Sequence, residues 1–196
     1  MVLTPSTMLP LGTPLPAFTL EQVWGAHGAV GRGERGEPWS SSALATQPVL
    51  VLFLCAHCPF VKHIEPELSR LETDFGSQVQ IVAISSNSTL THPQDGPEGL
   101  REQAERHGWR FPYLFDASQA VAKTFHAACT PDLYLFDAAH QLVYRGQLDG
   151  SRPGNSTPLD GCDLRTALKA LLAGEPINRD QQPSIGCNIK WHPEAA

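Results

Sequence analysis

The sequence has no apolar run long enough to cross a bilayer. Its longest, Pro48 to Cys55, covers eight residues, where a spanning helix needs about 20. The first twenty residues carry no Lys or Arg ahead of an apolar stretch, so the pattern of a secretory leader is missing. Basic surplus is lacking as well. With 14 Lys and Arg against 20 Asp and Glu, the formal charge is -6, which offers no cationic surface to nucleic acid or an anionic membrane. The cysteine count is five, and an odd number in a chain large enough to fold without staples argues against an exported disulfide framework. Together these features predict a soluble, cytoplasmic protein with reduced thiols and with neither nucleic acid nor membrane as partner.

What is present is ordinary globular composition, 41% hydrophobic and 17% charged over 196 residues, enough for one well-buried domain. Residues 1 to 47 are rich in Pro, Gly, Ser and Thr around a short apolar patch, Phe18 to Leu20, and read as a leader with a small hairpin. The cluster Gly31-Arg32-Gly33-Glu34-Arg35-Gly36 reads as a turn, because it opens no helix and lacks the Gly-Lys-Ser/Thr end of a phosphate loop.

From Val49 the pattern sharpens. Val49 to Leu54 is continuously apolar, as a strand buried on both faces should be. Phe60, Val61, Ile64, Leu68, Leu71 and Phe75 then recur at helical spacing and Gly76 follows, which predicts a helix from Pro59 with Cys58 at its cap. Further strands are expected at Gln80 to Ser85, Phe111 to Phe115, Leu133 to Phe136 and Gln141 to Gly146. Helices are expected at Pro97 to His107 and Ser118 to His126, with a last one carrying Leu164, Ala167, Leu168, Leu171 and Leu172, capped by Asp163 and ended by Gly174. Strands alternating with helices, then a hairpin and a helix, imply an α/β fold with a central mixed sheet flanked by helices. The domain is expected over residues 1 to 174, and residues 175 to 196 form a C-terminal tail holding the knot Ile185-Gly186-Cys187-Asn188-Ile189-Lys190-Trp191.

Cys58 carries the chemistry. A sulfur where a buried strand gives way to a helix meets free N–H groups and the positive end of the helix dipole, and such sites lower a thiol from about 8.5 to about 3.5–7.5. Cys55, His57, Cys58 and His63 fit none of the common zinc spacings, so no metal is expected. Lys62 and Arg152 read equally well as solvated surface cations.

The stretch Phe53-Leu54-Cys55-Ala56-His57-Cys58-Pro59-Phe60-Val61-Lys62, with Cys129-Thr130-Pro131-Asp132, Ser151-Arg152-Pro153-Gly154-Asn155 and Gly186-Cys187-Asn188-Ile189-Lys190-Trp191, resembles the alkyl hydroperoxide reductase/thiol-specific antioxidant (redoxin) family, in its peroxiredoxin-like branch. The resemblance implies a thioredoxin fold, an antioxidant or redox-homeostatic role and no cofactor. It makes Cys58 the nucleophile, Pro131 a cis-proline facing it, and Thr130 a backbone partner for an extended substrate. His57, Pro59 and Arg152 become its polar and positioning neighbours. The chain departs from the family pattern where thioredoxins place a cysteine three positions after the nucleophile, since Val61 stands there. It departs again where peroxiredoxins carry a hydroxyl three residues before it, since Cys55 stands there.

The resolving partner is left open among three cysteines within the reach that a disulfide allows, a Cα separation of about 7 Å or less. The resemblance puts Cys55 first and Cys129 second. Cys187, on a tail able to fold back or swap onto another subunit, comes third, and Cys162 is taken as incidental. The expected activity is thiol–disulfide exchange with a disulfide-bearing partner protein and a thioredoxin-type reductant. The alternatives are a thiol peroxidase acting on hydroperoxides and a non-catalytic redox sensor or binding module.

Overall fold

The computed structural model describes residues 3–25 and 38–193, so the glycine-rich turn expected at 31–36 lies outside the described residues. Seven strands form the main sheet in the order β3-β2-β6-β5-β4-β8-β9: β2 (Thr19–Trp24), β3 (Pro38–Ser40), β4 (Val49–Phe53), β5 (Gln80–Ser85), β6 (Tyr113–Phe115), β8 (Asp132–Phe136) and β9 (Leu142–Gly146). Parallel pairing joins β4 to β5 and β5 to β6, and antiparallel pairing joins β4 to β8 and β8 to β9. The mixed sheet and the closing hairpin are as the strand–helix alternation predicts.

Central placement explains the apolar run in β4, whose five residues are all buried. Alternation sends Leu50 and Leu52 to one face and Val49, Val51 and Phe53 to the other. The first set packs with Val61, Ile64, Leu68 and Leu71 of α1 (Pro59–Phe75), Leu100 of α2 (Pro97–His107) and Leu164 of α4 (Cys162–Ala173). The second packs with Val121 of α3 (Ala120–Thr124), Phe125 and Tyr134. Helices therefore cover both faces of the mixed sheet, and this is a thioredoxin fold.

A second, smaller sheet is where sequence and structure part. Its order is β1-β10-β7, with β1 at Leu3–Pro5, β7 at Cys129–Thr130 and β10 at Ile185–Asn188. The segment after Gly174, expected as an appended tail, returns across the molecule and places β10 between the other two strands. It is sewn in on both sides: Ser184 Oγ donates to the Gly146 carbonyl at 2.6 Å, and the Ile189 N–H to that of Ala128 at 3.0 Å.

Smaller corrections are local. The strand expected from Phe111 begins at Tyr113, and the helix expected over Ser118 to His126 is confined to Ala120–Thr124, between Gln119 and His126, both at positive φ. Asp163 does not cap α4. The cap is Gly161, at φ +65, a conformation in which a side chain is strained. The Gly161 N–H is satisfied by Asp149 and that of Cys162 by Asp160. The expected leader hairpin is present as antiparallel β2 and β3.

Candidate active site

β4 ends at Phe53 and α1 begins at Pro59, so the five residues between them turn from the sheet edge into the helix. Pro59 sits at the first helical position, where its missing N–H costs nothing, and leaves Cys58 as the cap residue with extended backbone. The loop is held by a buried acid that sequence reasoning missed. Asp95 Oδ1 accepts from the Ala56 and His57 N–H groups at 3.0 and 3.1 Å, and Oδ2 accepts from Asn87 at 2.8 Å and pairs with His57 Nδ1 at 2.5 Å. Burial opposes the charge, but these hydrogen bonds prevail and hold the Asp95 carboxyl below the usual carboxylate range. No local signal in the sequence marks an acid that works on a loop 38 positions away.

The Cys58 sulfur is fully buried and lies 2.7 Å from the Cys187 sulfur and 3.3 Å from the Thr130 carbonyl oxygen. Its acidity is raised above all by the hydrogen bond from Cys55. Desolvation opposes this, while Cys187 and the backbone N–H groups of Val61 and Cys187 add to it, and the thiol is lowered to about 5. The expectation that the helix start favours a thiolate is thus met, although the first-turn N–H comes behind two thiol donors and makes no cap hydrogen bond of ordinary geometry.

Those donors are themselves protonated. Burial, then donation to Cys58, pushes Cys55 well above the free-thiol value, and the same causes push Cys187 up to about 12. Of the three sulfurs Cys58 is thus the one favoured to ionise, and the other two are favoured to keep their protons. Cys55 also lies 3.4 Å from Thr130 Oγ1, so a hydroxyl stands beside the position that has lost one. Counted from Cys55, the run Cys55-Ala56-His57-Cys58 has the Cys-x-x-Cys spacing of a redox pair, which a count started at Cys58 overlooks.

Pro131 follows a cis Thr130–Pro131 bond, as expected. Thr130 does not present a free edge, however, because its backbone pairs with Cys187 of β10. The tail of the chain occupies the place assigned to an extended substrate. Cys129 is buried with its thiol donating to the Pro131 carbonyl at 3.6 Å. Cys162 is exposed at the first turn of α4.

His57 serves the loop more than the thiol: its ring is committed to Asp95 and stacks on His92 at 4.7 Å between centroids. Arg152 clasps its own loop, donating to the carbonyls of Asp149 and Ser151 and to Gln147 Oε1. Together with Phe60, His63, Pro131 and Ile185 it lines a narrow crevice with about 20 Å³ of free space.

Cys55, His57 and Asp95 bring potential metal-ligand atoms within 4.8 Å of one another. The donor set does not fit a metal, because both Asp95 oxygens and His57 Nδ1 are spent on the hydrogen bonds that hold the loop.

The AhpC/TSA family model matches residues 11–145. The chain belongs to the AhpC/TSA family. An uncharacterized conserved protein from Geobacillus kaustophilus is 45% identical, with a TM-score of 0.90 over 100% of this chain and 99% of its own. A hypothetical protein from Sinorhizobium meliloti 1021 is 39% identical, with a TM-score of 0.88 over 96% and 98%. A secreted Mycobacterium tuberculosis disulfide oxidoreductase shares the fold at 16% identity and a TM-score of 0.58, over 79% of this chain and 96% of its own. No functionally curated protein matches by sequence. This AhpC/TSA member is a thioredoxin-fold redox protein, and among its described residues no helix is long and apolar enough to cross a membrane.

Proposed function

We propose that the protein is a two-cysteine thiol–disulfide oxidoreductase with Cys58 as nucleophile and Cys187 as resolver. The observation that carries this is the 2.7 Å separation of an acidified sulfur and a protonated one. Cys58 thiolate attacks one sulfur of a disulfide RSSR, forming a mixed disulfide and releasing RS⁻. Cys187 then attacks the Cys58 sulfur, a Cys58–Cys187 bond forms, and the second RS⁻ leaves with the proton that Cys187 sheds. A low-molecular-weight dithiol reverses the internal bond. Cys55 acts as the hydrogen-bond donor that holds Cys58 ionised, and Asp95 keeps that donor and the loop in place. The order in which the resemblance ranks the resolvers, Cys55 before Cys187, is reversed on this reading, and Cys129 is removed from the reaction.

A peroxidase reading uses the same sulfur. Cys58 thiolate attacks the terminal oxygen of a hydroperoxide R'OOH, the O–O bond breaks to release R'OH with a proton taken up from solvent, and Cys187 condenses with the resulting sulfenic acid to form the Cys58–Cys187 bond and release water. The Thr130 hydroxyl beside Cys55 favours this reading, since it restores a polar hydrogen to the site.

Mapping disulfide-linked peptides after mild oxidation tests the assignment. The expected product joins Cys58 to Cys187 and still forms in Cys55→Ser. A Cys55–Cys58 link that survives Cys187→Ser at the original rate would restore the other order, and Cys58 remaining reduced throughout would refute the mechanism. Paired assays with 2-hydroxyethyl disulfide and hydrogen peroxide then separate the two first substrates.

A further inference from the structure

The edge of β7 is the natural place for an extended chain to pair beside Cys58, and this protein fills it with itself. Cys187 stands opposite Thr130, and Asn188 opposite Cys129. The fit is backbone against backbone: a Cβ added at Gly186 would stand 2.1 Å from the Thr130 carbonyl oxygen and 3.1 Å from the Pro131 nitrogen, so β10 lies on the cis-proline loop with no room between them. β1 covers its other side, with Leu3 opposite Cys187. Beyond the strand, the Lys190 N–H donates to Asn87 Oδ1 at 2.8 Å, and the His192 N–H to Gln119 Oε1 at 2.7 Å. Cys55 and Cys58 are 0% exposed and Cys187 2%. A macromolecular disulfide meets neither a free strand edge nor an accessible sulfur.

The narrow crevice is lined by chain neighbours of each member of the pair. Phe60 is two residues past Cys58, Pro131 follows Thr130, and Ile185, 38% exposed at the rim, is two residues before Cys187. The free space of the crevice is about 20 Å³, room for about one water-sized group and far below what a protein loop occupies.

We infer that the C-terminal strand is a specificity element: by occupying the β7 edge it restricts Cys58 to low-molecular-weight disulfides or hydroperoxides and excludes protein disulfides. This deepens the proposed function by naming its substrate class, and rests on it. A protein disulfide reaches Cys58 only after β10 has opened, and its rate is reduced by the fraction of time the strand spends open.

The test compares oxidants on the fully reduced intact chain under identical conditions, using 2-hydroxyethyl disulfide and hydrogen peroxide as small probes and insulin as the protein disulfide. Oxidation of Cys58 by either small probe is expected to outpace insulin by at least about a hundredfold, the mark of a strand rarely open. Gly186→Val, which forces β10 off the loop, is expected to narrow that ratio at least about tenfold by raising the insulin rate. The intact chain supplies the decisive comparison even if that variant fails to fold. Insulin reacting within a fewfold of the small disulfide would overturn the inference and leave the thiol chemistry standing. No oxidation by any of the three would overturn both, and a folded Gly186→Val with an unchanged ratio would remove β10 as the cause.

Discussion

Cys58 and Cys129 are both fully buried and both lie against the cis-proline loop, yet their thiols are displaced in opposite directions. Cys58 is lowered to about 5, first by the Cys55 hydrogen bond against desolvation. Cys129 is pushed far up, by desolvation and then by the neighbouring Asp132 charge. Burial penalises the anion in both. Each sulfur lies near a carbonyl oxygen, so the difference lies in the rest of its surroundings: two S–H donors and a helix start at Cys58, a carboxyl group at Cys129. Acidity in this pair follows the groups around each sulfur, and depth in the core does not predict it.

The largest effect that separates the two is catalytic. Cys58→Ser is expected to lower disulfide or peroxide turnover by about three orders of magnitude or more, the scale of losing a nucleophile, while Cys129→Ser leaves it within a fewfold. A turnover assay with dithiothreitol as the reductant reads both. Equal losses would mean that Cys129 belongs to the reaction and that the comparison divides nothing.

Next comes the loop that presents the donors. Asp95→Ala strips one buried carboxylate from two backbone N–H groups, Asn87 and His57, leaving four donors without their acceptor. A loss of about 3 kcal/mol of stability is expected, in the range for breaking a buried, hydrogen-bonded charge. Urea denaturation measures it, and a change below about 0.5 kcal/mol, typical of surface sites, would show that Asp95 does not organise the loop.

This contrast marks the limit of what the sequence tells. β4, α1, α2 and the β8–β9 hairpin were legible because their signals are local: an apolar run, a 3.6-residue stripe, a proline at a helix start, a glycine at its end. Cys58 was legible for the same reason, since a strand-to-helix junction is written in neighbouring residues. Asp95 was not, because it holds a loop 38 positions away; Cys187 was named but ranked third, because nothing local places a sulfur 129 positions away at 2.7 Å from Cys58. The short β10, four residues in an otherwise aperiodic segment, carries no pattern that says which edge it joins. The Cys55–Cys58 pair is visible in the sequence and stands first there as a disulfide, but its spacing does not say that a third sulfur lies 2.7 Å from Cys58.

Cys55 sharpens the comparison at smaller scale. If donors set the acidity of Cys58, Cys55→Ala removes the largest of them, and the midpoint of Cys58 alkylation by iodoacetamide should rise from about 5 toward the free-cysteine value of about 8.5. Cys187→Ala should raise it less, because its contribution ranks lower. A midpoint unchanged in Cys55→Ala would transfer the credit to the helix dipole and leave Cys55 as packing.

The smallest effect is thermodynamic, and its sign differs between the two cysteines. An unfolded cysteine keeps its proton up to about pH 8.5, whereas folded Cys58 has lost it above about 5. Between those values the unfolded chain binds the extra proton at this site, so Cys58 contributes stability that grows as pH rises through the window and is lost as pH falls through 5. Cys129 behaves inversely. Its folded thiol stays protonated when the unfolded one ionises, so it takes stability away as pH climbs past about 8.5. Cys187, raised to about 12, adds to that alkaline loss. Denaturation of the reduced protein from pH 5 to 10 should therefore show stability from these thiols rising and then falling. Cys58→Ala is expected to flatten the rise and Cys129→Ala to soften the fall, with each variant compared by slope so that its packing defect cancels. A rise that persists undiminished in Cys58→Ala would mean that Cys58 is protonated in the native state, and the contrast with Cys129 would collapse.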